Sequence, residues 1–146
     1  MGIVINRKTL MPKEILRLAS PVLLCSSCPV YETTIVDSGF QSISLNLPLA
    51  KALLGKSENE TIASISDIIF GLLPKQKQIY LTDYEMLFDP RYMLDVVKLF
   101  CEISRHHKLF AKWLGGFSDD SLTYAEPGFD DYAKYRVSDY EITCVV

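Results

Sequence analysis

Short apolar runs alternate with longer amphipathic ones along this chain, and the spacing within each predicts its element. "PVLLC" (Pro21 to Cys25) is apolar throughout, the mark of a strand buried on both faces. "FQSISLNL" (Phe40 to Leu47) sets Ile43, Leu45 and Leu47 against Ser42, Ser44 and Asn46, a period of two that predicts a second strand. "PLAKALLG" reads as a brief helix stopped by Gly55. In "SENETIASISDIIFGLLP", residues Ile62, Ile65, Ile69, Leu72 and Leu73 share one helical face, and Pro74 ends the element. Ile79 to Leu81 predict a third strand that runs into acidic residues. "DPRYMLDVVKLFCEISRHHK" (Asp89 to Lys108) predicts the longest helix, and "LFAKWLGG" a fourth short strand ending in paired glycines. A first short helix is expected at Pro12 to Ser20, and two β-prone pieces at Leu122 to Ala125 and Ile142 to Val146. Strands alternating with helices imply an α/β fold: a three-layer, mostly parallel sheet with helices on both faces, in one small domain over residues 1–146.

Composition narrows the class. At 146 residues, 49% hydrophobic and 23% charged, the chain can bury a core without disulfides. A net charge of −3 argues against a strongly electrostatic nucleic-acid binder, so nucleic acid is expected to be met only indirectly. The basic clusters "RHHK" and "PKQKQ" fall where helices end, a position that favours cations. No apolar run approaches the ~20 residues that cross a bilayer, and the first residues lack a basic-then-apolar leader. The expectation is a cytoplasmic protein whose four cysteines are reduced.

In parallel sheets ligands gather at the carboxyl ends of the strands, which directs attention to the turn after Cys25 and the acids after Leu81. "CSSC" (Cys25 to Cys28) could be a redox couple, but the β-prone "VYETTIV" after it is a poor helix former, and a redox cysteine needs a helix N-terminus. It could be half of a zinc site completed by Cys101 and His106 or His107, although Cys101 sits on an apolar face. The plainest reading makes Cys25 a buried strand end and Cys28 a loop residue.

The third reading is a phosphate loop, whose pattern is G-x-x-x-x-G-K-[ST] between a buried strand and a helix. Laid on it, Ser26 takes the first glycine, Ser27 follows inside the loop, and Tyr31 takes the second glycine. Glu32 takes the lysine and Thr33 the hydroxyl. Only Thr33 matches. Tyr31 adds a ring where backbone must approach phosphate, and Glu32 replaces a cation with an anion. At about 4 Å and an effective dielectric near 20, each such reversal is worth several kcal/mol. Asp83 and Glu85 stand where acids could hold magnesium; equally they could be solvated acids at a strand end, or a cap for the helix after Pro90.

The segments "SISLNLPLAKALLG", "LTDYEMLFDP" and "LFAKW" followed by "GGFSDDSLTYAEPGFDDYAKYRVSDY" resemble the small P-loop proteins of type 3 BREX phage-defence systems (BrxF) over about residues 20–146. The resemblance implies an AAA-like P-loop NTPase core in a bacterial defence complex. Its nucleotide pocket would lie between the loop after strand one (Ser26, Ser27, Tyr31, Glu32, Thr33) and the acids after strand three (Asp83, Glu85). Because the loop lacks both glycines and the lysine, the expected member is a non-catalytic or weakly active accessory subunit without a cofactor. It would work through contacts with other defence proteins or with further copies of itself as a homo-oligomer. The Tyr-rich tail (Tyr124, Tyr132, Tyr135, Tyr140) and "ITCVV" are candidate interface material or else core packing. The alternatives are an ATP–Mg²⁺ enzyme with Lys112 supplying the missing cation, and a thiol-redox or zinc protein.

Overall fold

A computed structural model describes residues Met1–Val146. Six strands form one parallel sheet: β1 (Ile3–Ile5), β2 (Val22–Leu24), β3 (Gln41–Ser44), β4 (Gln78–Thr82), β5 (Lys108–Lys112) and β9 (Thr143–Val145). Their order across the sheet is β1-β9-β2-β5-β4-β3, and every pair is parallel. A second sheet, β6 (Gly116–Ser118), β7 (Ser121–Tyr124) and β8 (Ala133–Arg136), is antiparallel. The helices are α1 (Pro29–Asp37), α2 (Asn46–Leu53), α3 (Glu58–Leu72) and α4 (Val96–Ile103), with short 3-10 turns between elements. The α/β character, the mostly parallel sheet and the single small domain all follow the hydrophobic pattern.

The alternation of side chains along each strand divides the core. Leu23, Ile79, Leu81, Leu109, Ala111 and Cys144 face α2, α3 and α4, in a cluster of 23 buried residues. Val22, Leu24, Tyr80, Phe110 and Val145 face α1 and the 3-10 turn at Pro12–Arg17, in a cluster of 9. No helix is long and apolar enough to cross a membrane.

Several elements depart from the sequence expectation. "VYETTIV", a poor helix former, lies within α1. Pro29 sits at its first turn, and Tyr31 and Ile35, four apart, are buried against the sheet; tertiary burial overrides the propensity of a β-branched run. The helix expected over Asp89 to Lys108 is broken. Asp89 caps a 3-10 turn at Pro90–Tyr92, Met93 takes φ +54°, and α4 starts only after Asp95 accepts from the Lys98 N–H. The longest helix is instead α3, whose Ser57 hydroxyl accepts from the Glu60 N–H. Pro12–Arg17 is 3-10 and not α-helical. Strand β3 stops at Ser44, and Asn46 already belongs to α2. "ITCVV" is no interface: Thr143–Val145 is a wholly buried central strand between β1 and β2.

Of the tail tyrosines, Tyr124, Tyr135 and Tyr140 are also packing residues, whereas Tyr132 is half-buried outside the core clusters. Phe88 stacks on Tyr124 at 3.7 Å and meets Trp113 edge-on, Trp113 meets Tyr135, and Tyr135 meets Tyr140. This aromatic chain fastens the small sheet to the large one. The indole N–H of Trp113 donates to the carbonyls of Gly116 and Thr123. Gly115 permits the same junction, because a Cβ there would stand 1.8 Å from the Thr123 oxygen.

Candidate functional site

The carboxyl rim of the large sheet carries two polar corners. The first follows β2. Strand and helix are joined by only Cys25, Ser26, Ser27 and Cys28, because β2 ends at Leu24 and α1 begins at Pro29. Cys28 is the N-cap, and its carbonyl accepts from the N–H groups of Tyr31 and Glu32. Residues 31–33, set by the loop pattern against the second glycine, the lysine and the hydroxyl, are therefore already helical. Tyr31 is buried under α1, and its hydroxyl donates to the carbonyls of Arg7 (2.7 Å) and Leu10 (2.8 Å). Ser27 and Thr33 are exposed, Ser26 is half-buried, and Thr33 makes no side-chain hydrogen bond.

Glu32 turns toward the sheet. Its Oε1 accepts from the Tyr80 hydroxyl at 3.1 Å and lies 4.0 Å from Lys112 Nζ at the end of β5. Burial, and next the charge of Glu32, push the Tyr80 phenol well above its ordinary range. Burial likewise raises Tyr31. A carboxylate, an ammonium and a phenol thus converge from α1, β5 and β4.

The second corner joins β3 to β4. The Ser44 hydroxyl donates to Asp83 Oδ2 at 2.8 Å, and the Asn46 amide donates to Glu85 Oε2 at 3.0 Å while its carbonyl accepts from the Met86 N–H. Asp83 itself takes φ +47°, which aspartate tolerates better than most residues, and its carbonyl accepts from the N–H groups of Leu45 and Asn46. Both acids are exposed and both are turned to the β3–α2 connection. Strand β5 stands between β2 and β4, so the two corners lie about 9–10 Å apart in strand spacings alone. The structure brings Tyr31 and Glu32 to one corner, and it commits Asp83 and Glu85 to Ser44 and Asn46 at the other. The cap of the turn at Pro90 is Asp89, and neither Asp83 nor Glu85.

The cysteine readings resolve at the same rim. All four cysteines are free, and no group of three or more His, Cys, Asp or Glu is arranged to hold a metal ion, so Cys25, Cys28, Cys101 and His106 or His107 do not form a zinc site. Cys25 Sγ donates weakly to the Leu23 carbonyl at 3.7 Å, and the neighbouring Cys144 thiol, then burial, drives the Cys25 thiol far upward, the opposite of an activated thiolate. Cys101 donates weakly to the Glu141 carbonyl. His107 Nε2 lies 3.1 Å from the Pro74 carbonyl.

Sequence reasoning missed Tyr80 as a site residue, since a tyrosine inside an apolar strand reads as core. The signal was present in the alternation of β4, which puts Tyr80 on the α1 face beside Glu32. Comparison with protein-family models, with curated proteins and with solved structures finds no match to this chain.

Proposed function

We propose that this chain is a P-loop-like subunit that has lost its nucleotide site and serves a bacterial antiphage complex of the BREX type through protein contacts, in the cytoplasm. One observation carries the reading: the turn after β2 is four residues long, and Tyr31 and Glu32, set against the second glycine and the lysine of a phosphate loop, lie inside α1 with their side chains committed to the Arg7 and Leu10 carbonyls and to Tyr80. The layout around it supports a P-loop ancestry. A central buried strand leads through a loop into a helix, and the acid-bearing strand stands two places away with one parallel strand between them. The resemblance of "LTYAEPG" and its neighbouring segments to BrxF supplies the defence setting.

Calorimetric titration with ATP–Mg²⁺ tests the lost site: no binding tighter than ~100 μM is expected, equivalent to less than about 5.5 kcal/mol. Phage challenge of a host carrying the chain tests the setting. Deletion should abolish protection, while Thr33→Ala leaves it intact. Protection that survives deletion removes the defence reading, and sensitivity to Thr33→Ala removes the nucleotide-free one.

A second reading, an ATP–Mg²⁺ enzyme, draws on Lys112, which does bring a cation to the first corner. That ammonium already faces the carboxylate of Glu32, and the same titration decides between the two.

A further inference from the structure

The two edges of the large sheet differ in what they offer a neighbour. Edge β3 carries Gln41, Ser42 and Ser44, with Ile43 half-buried. Edge β1 is Ile3-Val4-Ile5, with Ile3 54% and Val4 37% exposed. Natural sheets blunt an exposed edge by keeping it short or with lysine, proline or a bulge; β1, three residues long, has only the first of these.

The backbone of β1 has a free side. The Ile3 N–H donates to the Ile142 carbonyl at 2.9 Å, and the Ile5 carbonyl accepts from the Val146 N–H at 2.9 Å. In a parallel ladder alternate residues serve one neighbour, so Ile3 and Ile5 serve β9 while the N–H and C=O of Val4 point outward. Val4 and Gly2 line a hollow of about 470 Å³ walled by Asp119, Asp120, Arg136 and the turn at Val137. Its floor is fixed: a Cβ on Gly2 would stand 2.1 Å from the Val137 carbonyl oxygen, so strand and turn are in direct backbone contact. The wall carries both signs of charge, Arg136 against Asp119 and Asp120. A partner of one strong sign would be repelled by half of it, whereas a two-fold copy presents the same mixed set and can answer each charge with its opposite.

We propose that β1 pairs antiparallel with β1 of a second copy, about a two-fold axis through Val4, and so joins two sheets into one of twelve strands. Val4 exchanges both backbone hydrogen bonds with Val4 of the partner copy, and Ile3 faces Ile5 across the axis. The strand is short, so the dimer is weak, with Kd on the order of 10–100 μM. The inference does not depend on the nucleotide question.

Sedimentation equilibrium of the full chain tests it. The mass should climb from 16.5 kDa toward double that value as concentration passes through the Kd. Val4→Pro removes only the outward N–H, which an edge strand tolerates, and should hold the protein at 16.5 kDa across the same range. Val4→Cys gives a readout that does not depend on the proline variant folding. Hydrogen-bonded antiparallel partners have Cα atoms about 5.5 Å apart, within the span of a disulfide. Mild oxidation should therefore yield a covalent dimer, linked at position 4 by peptide mass, whereas Val30→Cys on exposed α1 should not. A monomer at every concentration, a Val4→Pro protein that dimerises like wild type, or failure of Val4→Cys to link would each overturn the proposal.

Discussion

At the β2–α1 corner, three side chains from three elements answer one another; at the β3–β4 corner, two exposed acids are held by donors from the adjoining strand and helix. Both stand on the carboxyl rim where an α/β sheet is expected to bind something, and both contain residue types that suit a magnesium nucleotide. The difference lies in what the polar groups are doing. Glu32 satisfies Tyr80 and faces Lys112, so the first corner is closed on itself. Asp83 and Glu85 fasten β4 to the β3–α2 link, so the second corner is a brace. Residue type at a rim does not make a site; the direction in which the carboxylates are committed decides.

Removing the support beneath the first corner should do the most damage. Tyr31→Ala takes a buried ring from the smaller core cluster and should lower stability by about 3–5 kcal/mol, read from urea unfolding. Tyr31→Phe keeps the ring but strands two carbonyls and should lose about 1–2 kcal/mol. A Tyr31→Ala protein as stable as wild type would mean that the corner is not filled from below.

The brace should come next. Asn46→Ala leaves the Met86 N–H without its acceptor and frees Glu85, for an expected loss of about 1–2 kcal/mol in the same assay. If the second corner is instead a ligand site, the loss should be negligible and should reappear as weakened binding.

Alkaline titration sharpens the contrast between buried and exposed groups. Burial raises the Tyr135 phenol to about 12, against about 10 in an unfolded chain. A raised folded-state value means the stabilisation is fully present below pH ~10 and is lost as pH climbs toward 12. Tyrosinate absorbance should therefore rise in step with unfolding, Tyr80 and Tyr84 following the same direction. Early titration of these tyrosines in a folded chain would contradict their packing.

The smallest effect belongs to the ion pair at the first corner. Lys112 and Glu32 side chains are 46% and 33% exposed, and their charged atoms are 4.0 Å apart. Solvent screening leaves such a pair worth under about 1 kcal/mol, so Lys112→Met should shift the urea midpoint only slightly.

Much of this molecule is legible in its sequence, for physical reasons that differ by element. Strands β2, β4 and β5 are buried on both faces and read as continuous apolar runs, and the Ile65–Ile69 spacing of α3 announces itself. Helix α1 was not legible, because its Val, Thr and Ile content describes local preference while its existence depends on Tyr31 and Ile35 finding the sheet. The break before α4 hides in Met93, a residue with no turn signature that nevertheless takes a left-handed conformation. At the site, the missing glycines and lysine were visible in the loop pattern, but Tyr80 was not. Nor could spacing reveal that Asp83 and Glu85 turn to Ser44 and Asn46, since hydrogen-bond direction is a property of the assembled rim.

The register of Ile3 with Thr143 has a consequence for how the molecule comes into being. Strand β1 has a single sheet neighbour, β9, and β9 is also the wedge between β1 and β2. On the ribosome, β1 must wait until Thr143–Val145 has been made before it gains a partner, and the flank of β2 stays bare meanwhile. Such long-separation closure slows folding and leaves a sticky intermediate, so a nascent chain stalled short of Thr143 should be far more prone to aggregation than one that includes β9.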